Sequence, residues 1–234
     1  MTRAVVLLSG GLDSTTAAAV AKSEGFELYA LTIDYNQRHR VELEAARRVA
    51  DWLGVRCHIV MPIDLRLFGG SSLTDDIEVP KDISLEQIGQ TIPNTYVPAR
   101  NTIFLSLALA FAETTDSEKI YIGISEVDYS GYPDCRPEFL AAFSELARLA
   151  TQTGVEGKST ISIEAPLMHL RKSEIIRLGI SHGVDYGLTY TCYDPLSDGQ
   201  SCGRCESCLL RLTAFREIGQ TDPLRYATEP AQDR

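Results

Sequence analysis

The chain has 234 residues, 44% hydrophobic and 23% charged, with a formal net charge of −10 and a pI near 4.9. That length supports one sizeable α/β core with a small appendage, and the acidic balance argues against tight, non-specific nucleic-acid binding. The N-terminal apolar stretch covers only 4–8 and the longest apolar run, 103–112, is broken by Ser106, so neither a signal peptide nor a membrane span is expected. The protein reads as soluble and cytoplasmic, with no membrane and no nucleic acid as partner. In chain order, a strand over 4–8 precedes a helix over 13–24, and a strand over 28–33 precedes a helix over 41–53. A third strand follows at 57–61, then a helix over 101–115, a strand over 119–124 and a long helix over 136–153. A short strand at 161–163 and a helix over 172–182 complete the alternation. Such alternation predicts βαβ units and a doubly wound, mainly parallel five-stranded sheet. Ligands of such sheets bind beyond the carboxyl ends of the strands, where the strand order reverses. Residues 62–100, rich in Asp, Ser, Gly and Pro, break the alternation and are expected to form a functional flap or mobile insertion. The expected division is a main domain over 1–184 and a C-terminal segment over 185–234 packed on it.

Between the first strand and the first helix lies Ser9-Gly10-Gly11-Leu12-Asp13-Ser14. Glycine lets backbone approach an anion closely, and a helix N-terminus offers free N–H groups and partial positive charge. The expected nucleotide site runs Leu8, Ser9, Gly10, Gly11, Leu12, Asp13, Ser14, Thr15. In it the glycine N–H groups and the Ser9 and Ser14 hydroxyls meet phosphate, and Asp13 orients magnesium or water. No lysine follows as in a G-x-x-x-x-G-K-[ST] loop, which points to a seat for a whole pyrophosphate with the α-phosphate open to attack. The plainer alternative is a strand-to-helix turn capped by Ser and Asp.

Four of six cysteines crowd the tail: Cys192, then Cys202, Cys205 and Cys208 in a C-x₂-C-x₂-C spacing. Four thiolates in one turn-rich segment match a closed, structural zinc site, with an iron–sulfur cluster as the rival. The cluster spacing of ferredoxins places a cysteine and proline soon after the third ligand, whereas Leu209 follows Cys208 here. Cys205 and Cys208 are expected to open a helix running to Phe215.

The hexapeptide resembles the SGGxDS loop of the N-type ATP pyrophosphatases, the PP-loop superfamily. That resemblance implies an adenine nucleotide α-hydrolase-like fold and cleavage of ATP to AMP and pyrophosphate, with ATP and Mg²⁺ as co-substrate. Gly131-Tyr132-Pro133-Asp134-Cys135-Arg136-Pro137-Glu138-Phe139 narrows it further, being similar to the G-Y-P-D-C-R-P-x-F signature of the 7-cyano-7-deazaguanine synthase family. Val97-Pro98-Ala99-Arg100-Asn101 and Asp34-Tyr35-x-Gln37-Arg38-His39 resemble further elements of that family, as does the cysteine segment through Arg211. Asn36 departs from the family's usual glycine, but asparagine also tolerates positive φ.

The resemblance implies an ATP-dependent carbon–nitrogen ligase of queuosine precursor synthesis. Its reaction joins 7-carboxy-7-deazaguanine and ammonia, through an adenylated acid and an amide, to give the 7-cyano product. A zinc knot and a homodimer belong to the same implication. No amidotransferase module is evident, so free ammonia is the simplest nitrogen donor. Ser9, Asp13, Ser14 and Arg100 form the expected catalytic set, Arg100 because guanidinium matches phosphate bidentately. Tyr132, Asp134, Arg136 and Lys172 are the expected substrate contacts. Asp134 suits the N1/N2 edge of a guanine-like base, and Arg136 the substrate carboxylate; Lys172 would neutralise pyrophosphate. For Asp134 a turn cap, for Arg136 a helix start and for Lys172 a solvated side chain are the alternatives.

Overall fold

The computed structural model describes residues 2–127, 131–158 and 160–228. Its strands are β1 (Arg3–Leu7), β2 (Glu27–Asp34), β3 (Cys57–Pro62), β4 (Lys119–Tyr121) and β5 (Ser162–Glu164). They form one sheet in the order β3-β2-β1-β4-β5, every neighbouring pair parallel. The order reverses between β1 and β4. The helices are α1 (Leu12–Ser23), α2 (Val41–Leu53), α3 (Arg100–Thr114), α4 (Pro137–Ala150), α5 (Gln152–Val155), α6 (Lys172–Ser181) and α7 (Glu206–Glu217).

The alternating faces of β1 explain the double winding. Val5 and Leu7 pack with Leu105, Ala108 and Leu109 of α3 and with Phe143 and Ala147 of α4. Ala4, Val6 and Leu8 point the other way, against Ala18 and Ala21 of α1 and Val49, Ala50 and Leu53 of α2. A strand apolar on both faces is stable only when both are covered. The tail joins the same body: Leu12 and Ala17 of α1, Ile175 and Ile176 of α6, and Ala214 and Phe215 of α7 share one buried cluster.

Three expectations need adjustment. The fourth strand is paired only over Lys119–Tyr121, because the chain then passes against the first turn of α1. A Cβ at Gly123 would sit 2.6 Å from the Asp13 carbonyl carbon and the Ser14 nitrogen. The helix expected over 136–153 is two, broken at Thr151, whose extended backbone and hydroxyl, accepting the Gly154 N–H at 3.3 Å, start α5. Residues 62–100 pack rather than hang free: Ser71, Ser72, Leu73 and Thr74 are buried, and the Asp82 N–H donates to the Arg204 carbonyl at 2.9 Å. Among the described residues no helix is long and apolar enough to cross a membrane.

Candidate active site

The loop at the end of β1 is shaped by its close approach to α2. Gly10 has φ +82, and a Cβ there would lie 2.7 Å from the Glu42 carbonyl oxygen, so both its conformation and its position require glycine. The hydroxyls organise what remains. Ser9 and Ser14 Oγ are 3.0 Å apart, the Gly11 N–H donates to Ser9 Oγ at 3.2 Å, and Ser14 Oγ donates to the Gly11 carbonyl at 3.1 Å. Lys172, at the start of α6, is 6% exposed and places Nζ 2.8 Å from both Asp13 oxygens. α6 packs along α1, and that packing delivers the cation to the loop.

Above the carboxyl ends of β1, β2 and β4 opens a cavity, at the reversal point where doubly wound sheets hold their ligands. Ser9, Gly11, Asp13 and Ser14 line it, facing Arg100, Asn101 and Phe104 of α3 and Tyr132. Ala99, just before α3, adopts φ 53, a left-handed conformation that non-glycine residues hold only when their surroundings impose it. Its N–H donates to Tyr96 Oη at 3.0 Å. The turn delivers Arg100 over the rings of Tyr35 and Phe104, with Cζ 6.0 and 5.9 Å from their centroids. Burial opposes the Arg100 charge, but Tyr35, Tyr132, Tyr193 and Asp134 outweigh it and raise its pKa, so the guanidinium is firmly cationic. Tyr132 donates to or accepts from Thr95 Oγ1 at 2.8 Å, and burial pushes its phenol up to about 12.

The far wall is built by the cysteine segment. Tyr190, Thr191, Tyr193 and Ser207 all line the cavity. Close by, the sulfurs of Cys192, Cys202, Cys205 and Cys208 lie within 4.8 Å of one another, and all four residues are buried. Backbone N–H groups of Arg204 and Cys205 point at Cys202 Sγ at 3.4 and 3.3 Å. Bonds from the other three cysteines draw the Cys202 thiol well below its ordinary range. Four convergent sulfurs with backbone donors form a cage that could hold a metal ion.

Residues 3–219 match the family model described as queuosine biosynthesis protein QueC. The chain belongs to that family. A relative named 7-cyano-7-deazaguanine synthase from Solidesulfovibrio magneticus is 58% identical over 224 residues, covering 96% of this chain and 95% of its own. Another of that name from Kineococcus radiotolerans is 59% identical over 223 residues, with 95% and 97% covered. Among solved structures, a predicted subunit of tRNA methyltransferase from Methanocaldococcus jannaschii aligns over 99% of this chain and 95% of its own, at 17% identity and a TM-score of 0.48. That likeness is too remote to bear on activity.

With QueC membership in hand, the positions of the expected site residues can be compared. Leu8, Ser9, Gly11, Leu12, Asp13, Ser14, Arg100 and Tyr132 line the cavity together, while Gly10, Thr15 and Lys172 sit behind its surface. Asp134 and Arg136 do not line it. Asp134 is 5% exposed and accepts the Asn101 backbone N–H at 2.9 Å, while its carbonyl accepts the Asn101 amide at 3.0 Å. It therefore caps the start of α3, satisfying a donor that a helix N-terminus leaves open. Arg136 is exposed at the N-cap of α4. Cys135 is buried with its thiol pushed up to about 12, chiefly by burial, and lines the cavity. Asn36 holds φ 59, the conformation its place in a glycine position asks for. Sequence reasoning missed Glu42, a second carboxylate in the cavity, and Gln37, whose Oε1 accepts the Tyr35 N–H at 3.0 Å.

Proposed function

We propose that this chain converts 7-carboxy-7-deazaguanine and ammonia, driven by ATP, into 7-cyano-7-deazaguanine. The observation that carries the reading is the single cavity that joins the Ser9-to-Ser14 loop to Arg100 and Tyr132. The names of the near-full-length relatives fit the same chemistry.

A carboxylate becomes reactive only when its oxygen is made a leaving group. In this reading a substrate oxygen attacks the α-phosphate, pyrophosphate departs, and an acyl-adenylate forms. The Gly11 N–H and the Ser9 and Ser14 hydroxyls receive the departing pyrophosphate, and Arg100 meets the charge developing at the α-phosphate. Asp13 is the loop carboxylate that would share Mg²⁺ with phosphate oxygens, and Lys172 holds it in place. Ammonia displaces AMP to give the amide. A second ATP activates the amide oxygen, and loss of AMP leaves the nitrile. Ammonia from solution, a cytoplasmic setting and a homodimer belong to the same proposal.

For the cysteine cage we propose zinc. Tetrahedral bonds of about 2.3 Å put sulfurs roughly 3.8 Å apart, close to the 4.0 Å of the Cys192–Cys205 and Cys202–Cys208 pairs. Zinc there would brace the wall carrying Tyr190, Thr191, Tyr193 and Ser207, with no part in bond making.

The test is to incubate the protein with 7-carboxy-7-deazaguanine, ATP, Mg²⁺ and ammonium, resolving nucleotides and bases by mass. Nitrile with AMP and pyrophosphate is expected. ADP as the nucleotide product, or an amide that never proceeds further, refutes the proposal.

A further inference from the structure

We propose that Glu42 is the base that receives ammonium in this cavity and takes its proton, making the nitrogen nucleophilic; the inference rests on the reaction proposed above. Only two carboxylates line the cavity among the described residues, Asp13 and Glu42. Asp13 is engaged by Lys172 at 2.8 Å through both oxygens. Glu42 is different. No hydrogen bond or close ion pair reaches its side chain from the described residues, and Arg100 acts on it only through longer-range attraction. Its oxygens are not sealed in the interior but stay open to the cavity, where a ligand can meet them. A small cation arriving with substrate is such a ligand.

Its position suits the task. Glu42 stands in the first turn of α2, and its backbone packs directly on Gly10, so the carboxylate belongs to the phosphate end of the cavity. The acyl carbon of an adenylate lies one bridging oxygen from the α-phosphate, so the nitrogen must be delivered at that end. The groups that face Glu42 are Arg100 from α3 and Tyr35 from the end of β2. Burial pushes the Glu42 carboxyl up to about 7, with Arg100 drawing it partly back. A base poised there stays partly ionised at neutral pH yet accepts a proton readily. Tyr35, raised by its own burial and by Glu42, remains a neutral phenol.

The steps balance. Glu42 carboxylate takes one proton from NH₄⁺, leaving NH₃ and the neutral acid. The acid passes that proton to solvent and is a carboxylate again. The nitrogen lone pair then forms the C–N bond, the C–O bond to AMP breaks, AMP leaves with that electron pair, and the nitrogen gives its one extra proton to Glu42 to leave the neutral amide. After Glu42 releases that proton to solvent, attack of the amide oxygen on a second ATP expels pyrophosphate and leaves a protonated imidate, which loses one N–H proton to solvent. The carboxylate then takes the remaining N–H proton as the C–O bond to AMP breaks and the nitrile forms.

The decisive comparison is Glu42→Gln against wild type in three assays: acid-dependent ATP–pyrophosphate exchange, trapping of the adenylate by hydroxylamine, and nitrile formation from ammonium. Hydroxylamine is a far weaker base than ammonia and is already neutral at neutral pH, so it needs no proton removed. The variant is expected to keep exchange and hydroxamate formation close to wild type, which also shows that it folds. Nitrile formation should fall by about a hundredfold, the lower end of what a general base contributes. Near-normal use of ammonium by the variant overturns the proposal. Loss of exchange and trapping together with nitrile also overturns it, since Glu42 would then serve substrate binding or adenylation. Wild-type protein without acid-dependent exchange overturns the proposed reaction itself, a failure visible before the variant is made.

Discussion

Replacing Arg211 with methionine tests how the tail is fastened to the site. Arg211 is 1% exposed on α7 and is the largest fully buried side chain among the described residues. Its Nε and one terminal nitrogen meet the two oxygens of Asp222 at 2.7 and 3.0 Å. The other terminal nitrogen donates to Thr189 and Thr191 hydroxyls at 2.7 and 2.9 Å, and a further bond reaches the Tyr186 carbonyl at 3.0 Å. The guanidinium also stacks between Tyr186 and Phe215, 6.0 and 5.5 Å from the ring centroids. Methionine keeps much of that volume but strands the Asp222 carboxylate, whose side chain is 2% exposed, with only Tyr226 Oη and the Leu224 N–H as donors. Breaking one side of a buried pair costs about 3–5 kcal/mol. For a chain of this size that lowers Tm by roughly 10 °C. Thermal unfolding of metal-matched wild type and Arg211→Met measures it, and Arg211→Met with Asp222→Leu should recover most of the loss because no charge is left unpaired. A single variant that loses less than about 1 kcal/mol, the range of an exposed pair, refutes the argument.

The other predictions concern the loop, Glu42 and the metal. Lys172→Met should cut acid-dependent ATP–pyrophosphate exchange by about 10², because Asp13 loses the cation that fixes its position at the loop; an unchanged exchange rate counts against Lys172. Glu42→Gln should stabilise the fold with a definite pH dependence. A carboxyl raised from 4.5 to about 7 on folding contributes stability fully present below 4.5 and lost as pH rises through 7. Wild type is therefore penalised above pH 7, by up to about 3 kcal/mol, and by about 1–2 kcal/mol once partial exposure to solvent is discounted. Urea unfolding at acid and alkaline pH should show the variant's advantage growing with pH, and a flat difference refutes it. Stripping the zinc proposed for the cysteine cage, with chelator removed and Mg²⁺ restored, should abolish ATP–pyrophosphate exchange while far-UV circular dichroism still reports the parallel sheet; full exchange in metal-stripped protein contradicts the bracing role.

Much of the fold was legible because periodicity reports burial. The run at 28–33 is apolar enough to be covered on both faces, the run at 57–61 makes a half-buried edge strand, and their bounds shift by only a residue in β2 and β3. The differences arise where tertiary approach decides. Nothing local to Gly123 says that the first turn of α1 will occupy the space of its side chain. The carboxylate of Asp134 has the same chemistry whether it faces a base or caps a helix, and only the approach of Asn101 selects the cap. Glu42 was invisible for the converse reason. With Glu44 it reads as an acidic first turn of the kind a helix dipole favours, and only the loop packed beside it turns it toward the cavity.

The cysteine knot and the phosphate loop look like separate devices in the sequence, yet their hydrogen bonds make them one. The Tyr190 N–H donates to the Gly10 carbonyl at 2.9 Å, so the segment leading into the knot is pinned to the loop itself. The next residue, Thr191, accepts from Ser207 Oγ at 2.8 Å through its carbonyl and from Arg211 at 2.9 Å through its hydroxyl, and Cys192 then enters the cage. A carbonyl fixed from behind leaves Gly10 unable to flip its peptide, and that rigidity keeps the Gly11 N–H directed at the Ser9 hydroxyl on the cavity's edge. Electrostatic catalysis depends on donors that need no reorganisation when charge develops. A cage whose first sulfur, Cys192, stands two residues past the loop's partner Tyr190, with no sulfur of its own in the chemistry, can in this way set the rate by holding one peptide plane.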